Sequence, residues 1–299
     1  MKEDEQVRLP DGRALGYAEY GDPQGEAVLF FHGWPSSRYQ GKLMHEIAAE
    51  RGLRLIAADR PGIGLSDPLP GRGIGAWPRD VEGLADALGL ERFRICGVSG
   101  GGPYTLATAA GLPERVIAAA VICGAPPFGN VADQAHMHWA YRTLAGLKRL
   151  RRAVTPAVIG SSRWMIARGA DRAPMSWMMR SIPASDRAAI ADYGCWESVT
   201  RSYLEGVRNG SPHVLTDGEL YLEPWDFSPE NIRVPVAFWH GKEDKNLPLE
   251  VVQRLAARVP GAAGNWIEGE GHYSLPLRYR GPVLDWLKAI SPDGKAAFA

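Results

Sequence analysis

The stretch that decides the fold is FRICGVSGGGPYTL, residues Phe93–Leu106. Its first six residues, Phe93–Val98, form a largely apolar run of strand length, and the residues from Gly102 onward are typical of a helix start. Between the two lies a G-x-S-x-G pattern with Ser99 at its centre. A serine on so tight a turn has strained backbone geometry, and small neighbours avoid clashes there. The stretch therefore predicts a strand, a sharp turn that exposes the Ser99 hydroxyl, and a helix.

On both sides of this stretch, short apolar runs alternate with segments of helical composition. The predicted strands are Gln6–Leu9, Leu15–Tyr20, Ala27–Phe31, Leu53–Ala58, Phe93–Val98, Val116–Cys123, Val234–Trp239 and Asn265–Ile267. The predicted helices are Lys42–Arg51, Trp77–Leu90, Gly101–Gly111, Leu249–Val259 and Pro282–Ile290. The first two strands flank an Asp-Gly turn and form a hairpin. The later alternation of strand and helix predicts an α/β protein with a mostly parallel sheet covered on both faces.

Residues 125–228 interrupt this alternation. The strand signal disappears there, and the segment is rich in Trp, Met, Arg and Ala at helical spacing; it holds five of the seven methionines and five of the ten tryptophans. We therefore expect one core domain formed by residues 1–124 and 229–299, with residues 125–228 inserted as a helical cap.

Composition and charge limit the partners. The 299 residues carry 34 Lys plus Arg and 34 Asp plus Glu, so no net field attracts nucleic acid or an anionic membrane. A small-molecule partner fits better. The polar N-terminus Met1–Arg8 has no apolar segment and no run reaches membrane-spanning length, which indicates a cytoplasmic protein. The three cysteines lack CxxC spacing and are expected to be reduced and buried. Oligomeric state stays open.

Four further motifs accompany the serine turn in chain order. They are HGWP at His32–Pro35, DRPGIGLSD at Asp59–Asp67, GKED at Gly241–Asp244 and GEGH at Gly269–His272. With these motifs the chain resembles the α/β-hydrolase superfamily over nearly all of its length, except that residues 125–227 match no family motif. The resemblance implies the α/β-hydrolase fold, a mostly parallel, doubly wound sheet with a helical cap insertion.

The resemblance also implies a catalytic triad. A serine hydroxyl needs a base within hydrogen-bond reach and a third group that fixes the tautomer of the imidazole. The family order of serine, acid and histidine makes Ser99 the nucleophile, Asp244 the acid and His272, in its glycine-rich loop, the base. Glu243 is the nearest competitor for the acid. The family's other acid position, after the strand ending at Cys123, holds no carboxylate.

By the same resemblance, the backbone N–H groups of Gly100 and Trp34 form the oxyanion hole. We also expect His32 and Gly33 to belong to the substrate-binding residues. The alternative role of His32 is to brace the loop. The family places its insertions over the nucleophile, and Met and Trp suit an adaptable apolar cavity. The predicted pocket residues of the cap are Trp164, Met175, Trp177, Met178 and Met179, with packing onto the core as the alternative.

Several weaker patterns do not predict a further site. Gly62-x-Gly64 and residues 71–75 do not complete a dinucleotide-binding loop. His136 and His138 are two apart in a helical segment, so they point away from each other and do not suit a metal. The basic run Lys148–Arg152 is typical of a solvated helix face. We expect no metal and no organic cofactor.

The resulting hypothesis is a carboxylesterase-like serine hydrolase (EC 3.1.1) that cleaves a small-molecule ester through an acyl-enzyme. Lactonase, thioesterase, amidase, C–C bond hydrolase and proline iminopeptidase activities remain open, because the motifs do not separate them. A receptor that keeps the triad without turnover is the alternative from another class.

Overall fold

The computed structural model describes residues 1–129, 142–143, 146–147, 150–169 and 171–292. Its strands are β1 (Lys2–Arg8), β2 (Ala14–Gly21), β3 (Glu26–Phe31), β4 (Leu53–Ala58), β5 (Phe93–Val98), β6 (Val116–Ile122), β7 (Val236–Gly241) and β8 (Ala263–Ile267). They form one sheet of eight strands in the order β1-β2-β4-β3-β5-β6-β7-β8.

The sheet is antiparallel at one side and parallel elsewhere. β2 pairs antiparallel with both β1 and β4, and every later pairing is parallel. β5 lies between β3 and β6, with Cys96 opposite Phe30 on one side and Ala120 on the other. Because parallel strands point the same way, the loops after β3, β5, β6, β7 and β8 meet at one edge of the sheet.

Helices cover both faces of the sheet. The core helices are α1 (His45–Glu50), α2 (Trp77–Ala87), α3 (Gly102–Gly111), α9 (Leu249–Arg258), α10 (Ser274–Arg278) and α11 (Arg280–Ala289). Apolar residues of α2, α3 and α9 pack on one face, and those of α1, α10 and α11 pack on the other. The sheet is thereby removed from water on both sides, as its apolar strands predict.

Between β6 and β7 the described residues hold no strand, and five α-helices are described over their full length. These are α4 (Arg151–Ala167), α5 (Met175–Ser181), α6 (Ala184–Asp192), α7 (Trp196–Gly206) and α8 (Ser211–Leu220). We call residues 125–228 the cap. Helix α6 packs on α10 of the core, and α7 packs on the 3₁₀ turn Arg38–Met44.

Several elements differ from the sequence prediction: β1 begins at Lys2 rather than Gln6, and β8 begins at Ala263 rather than Asn265. The first three residues of the predicted helix Lys42–Arg51 belong to the 3₁₀ turn Arg38–Met44, in a segment where Gly41 weakens helix propensity. β7 begins at Val236 rather than Val234, because Pro235 has no N–H to donate. Helix α10 has no signal in its own sequence, which holds a proline within five residues; Asp186 of the distant helix α6 accepts the N–H of its first residue, Ser274.

Candidate active site

Ser99 occupies the sharp turn between β5 and α3, with φ of +54°, which is rare for a residue other than glycine. The turn requires glycine two residues before and after. A Cβ on Gly97 would lie 2.5 Å from the Gly101 carbonyl oxygen, and one on Gly101 would lie 2.1 Å from the Phe31 oxygen. The G-x-S-x-G pattern is therefore a steric requirement here, and it presents the serine hydroxyl at the carboxyl edge of the sheet.

Loops after β7 and β8 bring an acid and a histidine to this serine. His272 Nε2 lies 3.0 Å from Ser99 Oγ, and His272 Nδ1 lies 2.7 Å from Asp244 Oδ2. The other Asp244 oxygen accepts the N–H groups of Asn246 and Leu247, which fixes the carboxylate plane. Glu243, the competing acid, is exposed and lies 3.5 Å from Ser185 instead.

The environment makes His272 a stronger base than a free imidazole. Burial lowers the pKa of His272, but the charge and hydrogen bond of Asp244 raise it more, so the pKa lies above its ordinary value. Burial raises the pKa of Asp244, yet the facing His272 outweighs it and the net shift is downward. Asp244 is therefore ionised at neutral pH and stabilises an imidazolium.

Two residues that sequence reasoning did not assign to the site lie beside Asp244. His240 is fully buried, with Nε2 3.1 Å from the Leu247 carbonyl oxygen and 3.6 Å from Asp244 Oδ2. Burial lowers the pKa of His240, which keeps its ring neutral. Cys123, at φ +43°, is also fully buried, and burial raises the pKa of its thiol. Both fill the space behind the acid without adding charge.

Trp34 and Gly100 border the space in front of the serine, where the sequence predicted an oxyanion hole. Both residues line the same pocket as Ser99. A Cβ on Gly100 would lie 2.9 Å from Trp34 Cβ, so the two backbones are adjacent. The Trp34 indole donates to the Val214 carbonyl on α8, 2.8 Å away, and this bond ties the loop after β3 to the cap.

His32 and Gly33 do not reach the pocket, contrary to the sequence prediction. His32 is fully buried, its Nδ1 lies 2.9 Å from the Gly33 oxygen, and its ring faces the Arg60 backbone. Burial and the nearby Arg60 lower the pKa of His32 well below its usual range. Gly33 is buried and donates its N–H to Gln40. Both residues hold the loop that carries Trp34, so bracing, the alternative role for His32, fits the structure.

A buried ionic network fixes the same loop from the cap side. Arg60 donates to the carbonyl oxygens of His32 and Gly33 and pairs with Asp217 of α8 at 2.7 Å. Asp217 also pairs with Arg72 at 2.6 Å. Burial raises the pKa of Asp217, but Arg60 and Arg72 lower it more, so the carboxylate is ionised.

Tyr221, directly after α8, connects this network to the serine turn. Its hydroxyl lies 3.1 Å from the Gly100 carbonyl oxygen and donates to it, and it lies 3.4 Å from Asp217 Oδ2. The cap thus contacts both the loop after β3 and the turn after β5. Sequence reasoning missed Arg60, Asp217 and Tyr221; only Arg60 lies in a quoted motif.

An apolar cavity of about 70 Å³ opens beside Ser99 and His272. Its apolar wall comes from both parts of the chain: Trp34, Ala125, Phe128, Leu215, Tyr221 and Leu247. The cavity suits an apolar group attached to the reacting carbon.

The five cap residues predicted to line this pocket do not line it. Trp164, Trp177 and Met178 are 56%, 64% and 43% exposed on α4 and α5, whereas Met175 is buried in packing. Met179 also lies outside the lining. From α4 to β7, the described lining residues are instead Arg151, Leu215, Gly218, Glu219, Tyr221 and Leu222, none of which is Trp or Met. The prediction is wrong because composition does not tell which helix faces the serine.

The other expectations have these outcomes. Cys96, Cys123 and Cys195 are free and buried. His136 and His138 lie outside the described residues, as does part of the basic run Lys148–Arg152. Within the described chain, no helix is both long and apolar enough to cross a bilayer.

One group of metal-ligating atoms coincides with the site. The ligand atoms of Cys123, Asp244 and His272 lie within 4.8 Å of one another. Burial raises the pKa of the Cys123 thiol, which keeps it protonated, and His272 Nδ1 faces Asp244 at hydrogen-bond distance. The thiol is therefore protonated and the imidazole and carboxylate are hydrogen-bonded to each other, so these three groups do not suit a cation.

Comparison with known proteins agrees with this architecture. Residues 26–279 match the model of the alpha/beta hydrolase fold family. A 2-hydroxy-6-oxononadienedioate/2-hydroxy-6-oxononatrienedioate hydrolase of Comamonas testosteroni is 26% identical, with 83% of this chain and 84% of the relative covered. A bifunctional esterase/perhydrolase of Acinetobacter calcoaceticus is 24% identical over 85% of this chain and 87% of its own.

Among solved structures, a thermophilic esterase from Thermogutta terrifontis superposes with a TM-score of 0.67 at 21% identity, over 96% of this chain and 98% of that one. At this identity the likeness concerns the fold. The family match extends over most of the chain and includes the serine, acid and histidine loops, and the named relatives are enzymes. The chain therefore belongs to the alpha/beta hydrolase fold family of enzymes.

Proposed function

We propose that the protein is a serine hydrolase that cleaves carboxylic esters of small molecules. The observation that carries the proposal is the hydrogen-bonded series from Ser99 Oγ to His272 Nε2, at 3.0 Å, and from His272 Nδ1 to Asp244, at 2.7 Å. This order of nucleophile, base and orienting acid is what acyl transfer by a serine requires.

The proposed reaction has two halves. Ser99 Oγ attacks the ester carbonyl while its proton moves to His272 Nε2, and Asp244 stabilises the imidazolium that forms. The N–H groups of Gly100 and Trp34 stabilise the oxyanion, a contribution that is typically about 3 kcal/mol for one donor. His272 then protonates the leaving alcohol. In the second half, water attacks the acyl-enzyme with His272 again as base, and the acid is released.

The cavity suggests the kind of substrate. Leu215, Phe128 and Leu247 give it apolar walls, so we propose an uncharged acyl or alcohol group of modest size at this position. We also propose that residues 125–228 act as a cap domain on a core made of residues 1–124 and 229–299. The cap supplies α8 and Tyr221 to the wall.

A second candidate is hydrolysis of a carbon–carbon bond in a 2-hydroxy-6-oxo acid. It is favoured by the similarity to the Comamonas hydrolase over 83% of the chain. Among the described residues that line the cavity, Arg151 carries a guanidinium group, which suits a substrate carboxylate. Release of product from a dienoate substrate, with no turnover of simple esters, would favour this candidate.

The test is a panel of p-nitrophenyl esters from acetyl to octanoyl, assayed for burst and steady-state release. We expect repeated turnover, covalent labelling of Ser99 by a fluorophosphonate, and loss of both in Ser99→Ala. This variant should lower kcat by ~10⁵-fold or more with little change in melting temperature. A single turnover followed by arrest would favour a receptor, and labelling of another serine would contradict the proposal.

A further inference from the structure

Asp186 is a cap residue whose carboxylate lies against the histidine loop of the core. It belongs to α6 and is only 1% exposed. Its Oδ2 accepts the N–H of His272 at 3.2 Å, and its Oδ1 accepts those of Tyr273 and Ser274 at 2.9 and 2.8 Å. One carboxylate thus binds three consecutive backbone N–H groups, beginning with that of the histidine itself, and caps the helix that follows.

The loop has the shape to receive this carboxylate. A Cβ on Gly271 would lie 2.5 Å from both Asp186 oxygens, so only glycine permits the approach. The N–H of Gly271 donates to Ser274 Oγ at 2.8 Å, which closes the loop on itself. Behind the contact, Ala189 of α6 packs with Leu277 of α10. The position of Asp186 is therefore fixed by packing as well as by hydrogen bonds.

The partners of the Asp186 carboxylate differ from those of the Asp217 carboxylate. Asp217 faces two arginines, whereas within the described chain Asp186 has backbone N–H groups as partners and no ion pair. Its negative field therefore reaches the His272 ring. Burial lowers the pKa of His272, and Asp244 and then Asp186 raise it. Burial lowers the pKa of His240 and raises those of Cys123 and Tyr273, so these three neighbours of the ring and its acid carry no charge at neutral pH. The nearby carboxylate of Glu270, two residues before His272, is paired with Arg278 at 3.3 Å.

We propose that Asp186 is a positioning residue for His272: the cap carboxylate holds the backbone of the histidine loop and thereby sets the approach of Nε2 to Ser99. The inference rests on the proposed function, because it assigns His272 the role of base. It makes α6 a structural part of the catalytic machinery rather than a cover over it. Displacement of a catalytic group by about 1 Å can lower the rate by about 100-fold.

The main experiment is Asp186→Asn, measured as kcat and KM from pH 5 to 9. We expect kcat to fall by ~10- to 100-fold while KM changes by less than about 2-fold, because the base is displaced and the pocket is not. The acid limb of kcat/KM should also move to lower pH. The direction of this move follows from the negative charge of Asp186. The charge favours the protonated imidazole, so its removal lowers the pKa of His272.

Asp186→Ser is the second variant, in case the amide disturbs folding. Its hydroxyl oxygen is one bond closer to the α6 backbone than the carboxylate oxygens and carries no charge, so the contacts with the N–H groups of the loop are lost, kcat should fall at least as much as in Asp186→Asn, and the acid limb should move equally. Glu19→Gln is the matched control, since Glu19 is a buried carboxylate of β2, 6% exposed, that pairs with Arg54 of β4. It should lower the melting temperature without moving the pH profile.

If the Asp186 variants only lose stability, as Glu19→Gln does, and keep the parent kcat and pH profile, the proposal is overturned. A measurement that needs no substrate tests the role of Asp186 independently of the proposed function. The titration of His272, followed by NMR in parent and variant, should show the lower pKa in Asp186→Asn. If the parent hydrolyses no ester yet this shift is seen, the proposed function fails and the electrostatic link to Asp186 stands; an unchanged titration overturns the link.

Discussion

The carboxyl edge of the sheet and the cap bring their residues to the same cavity by different means. At the sheet edge, local backbone geometry fixes the side chains: Ser99 lies at φ +54° between glycines, and Asp244 is held by N–H groups two and three residues further on. In the cap, distant partners fix the important residues. Asp217 is held by Arg60, which is 157 residues earlier in the chain.

Within the cap, the helices that contact the core loops differ from those that face solvent. Helix α8 lines the cavity and holds Asp217, and α6 holds Asp186, whereas α4 and α5 turn large apolar side chains such as Trp164 and Trp177 to solvent. The difference teaches that contact with the core loops, and not apolar composition, identifies the parts of the cap that matter for the site. Substitutions in the two regions should therefore have different signatures.

The largest effect is expected at the sheet edge, where chemistry should be lost and the fold retained. Asp244→Asn should lower kcat by ~10³- to 10⁴-fold, because the amide holds His272 in the wrong tautomer. The matched variant Glu243→Gln should change kcat by less than about 3-fold, since Glu243 is exposed. Steady-state kinetics and thermal melting of both proteins check this. Equal losses in the two variants would contradict the assignment of the acid.

An intermediate effect is expected at the contact between the two regions. Asp217→Asn leaves Arg60 and Arg72 without their buried anion, so the free energy of unfolding should fall by about 3–5 kcal/mol. The loop after β3 also loses its anchor, and kcat should fall ~10- to 100-fold.

The control for this contact is Asp226→Asn, a change in an exposed carboxylate of the cap that accepts the Gly75 N–H at 2.7 Å. It should leave kcat unchanged in the same assays. An Asp217→Asn protein with full kcat would show that the oxyanion loop does not depend on the cap.

The smallest effect is expected inside the cap and concerns selectivity. Leu215→Ala enlarges the cavity and should change the ratio of kcat/KM between octanoyl and acetyl esters by ~10-fold. Trp177→Ala removes an indole that is 64% exposed and should change this ratio by less than about 2-fold. If the exposed tryptophan alters chain-length preference more than Leu215 does, α5 contacts the substrate and the division of the cap is wrong.

Much of the core could be predicted because its signals are local. The bounds predicted for Leu53–Ala58 and Phe93–Val98 coincide with β4 and β5, since each is an apolar run that ends at a turn. Ser99, Asp244 and His272 lie within hydrogen-bond distance because their motifs follow parallel strands, β5, β7 and β8, whose carboxyl ends share one edge of the sheet. Helical composition also predicted the helices of the cap.

The contacts of the cap could not be predicted in the same way. Asp186 and Asp217 are ordinary acidic residues in helical segments, and their partners lie 86 to 157 residues away. The choice of Trp164 and Met175 as pocket residues relied on composition, which gives the amount of apolar surface but not the direction in which a helix turns it. Only the packing of α8 against Trp34 and Arg60 decides that direction.

The Arg60–Asp217 pair has a consequence for how the protein loses activity on warming. Release of α8 from the core would separate this buried pair, free the loop that carries Trp34 and withdraw Tyr221 from the Gly100 carbonyl. The eight-stranded sheet also has apolar packing from the core helices on both faces, which release of α8 would leave in place. Thermal inactivation should therefore precede the melting of the sheet, and a tight-binding inhibitor that bridges α8 and Ser99 should narrow the interval between the two transitions.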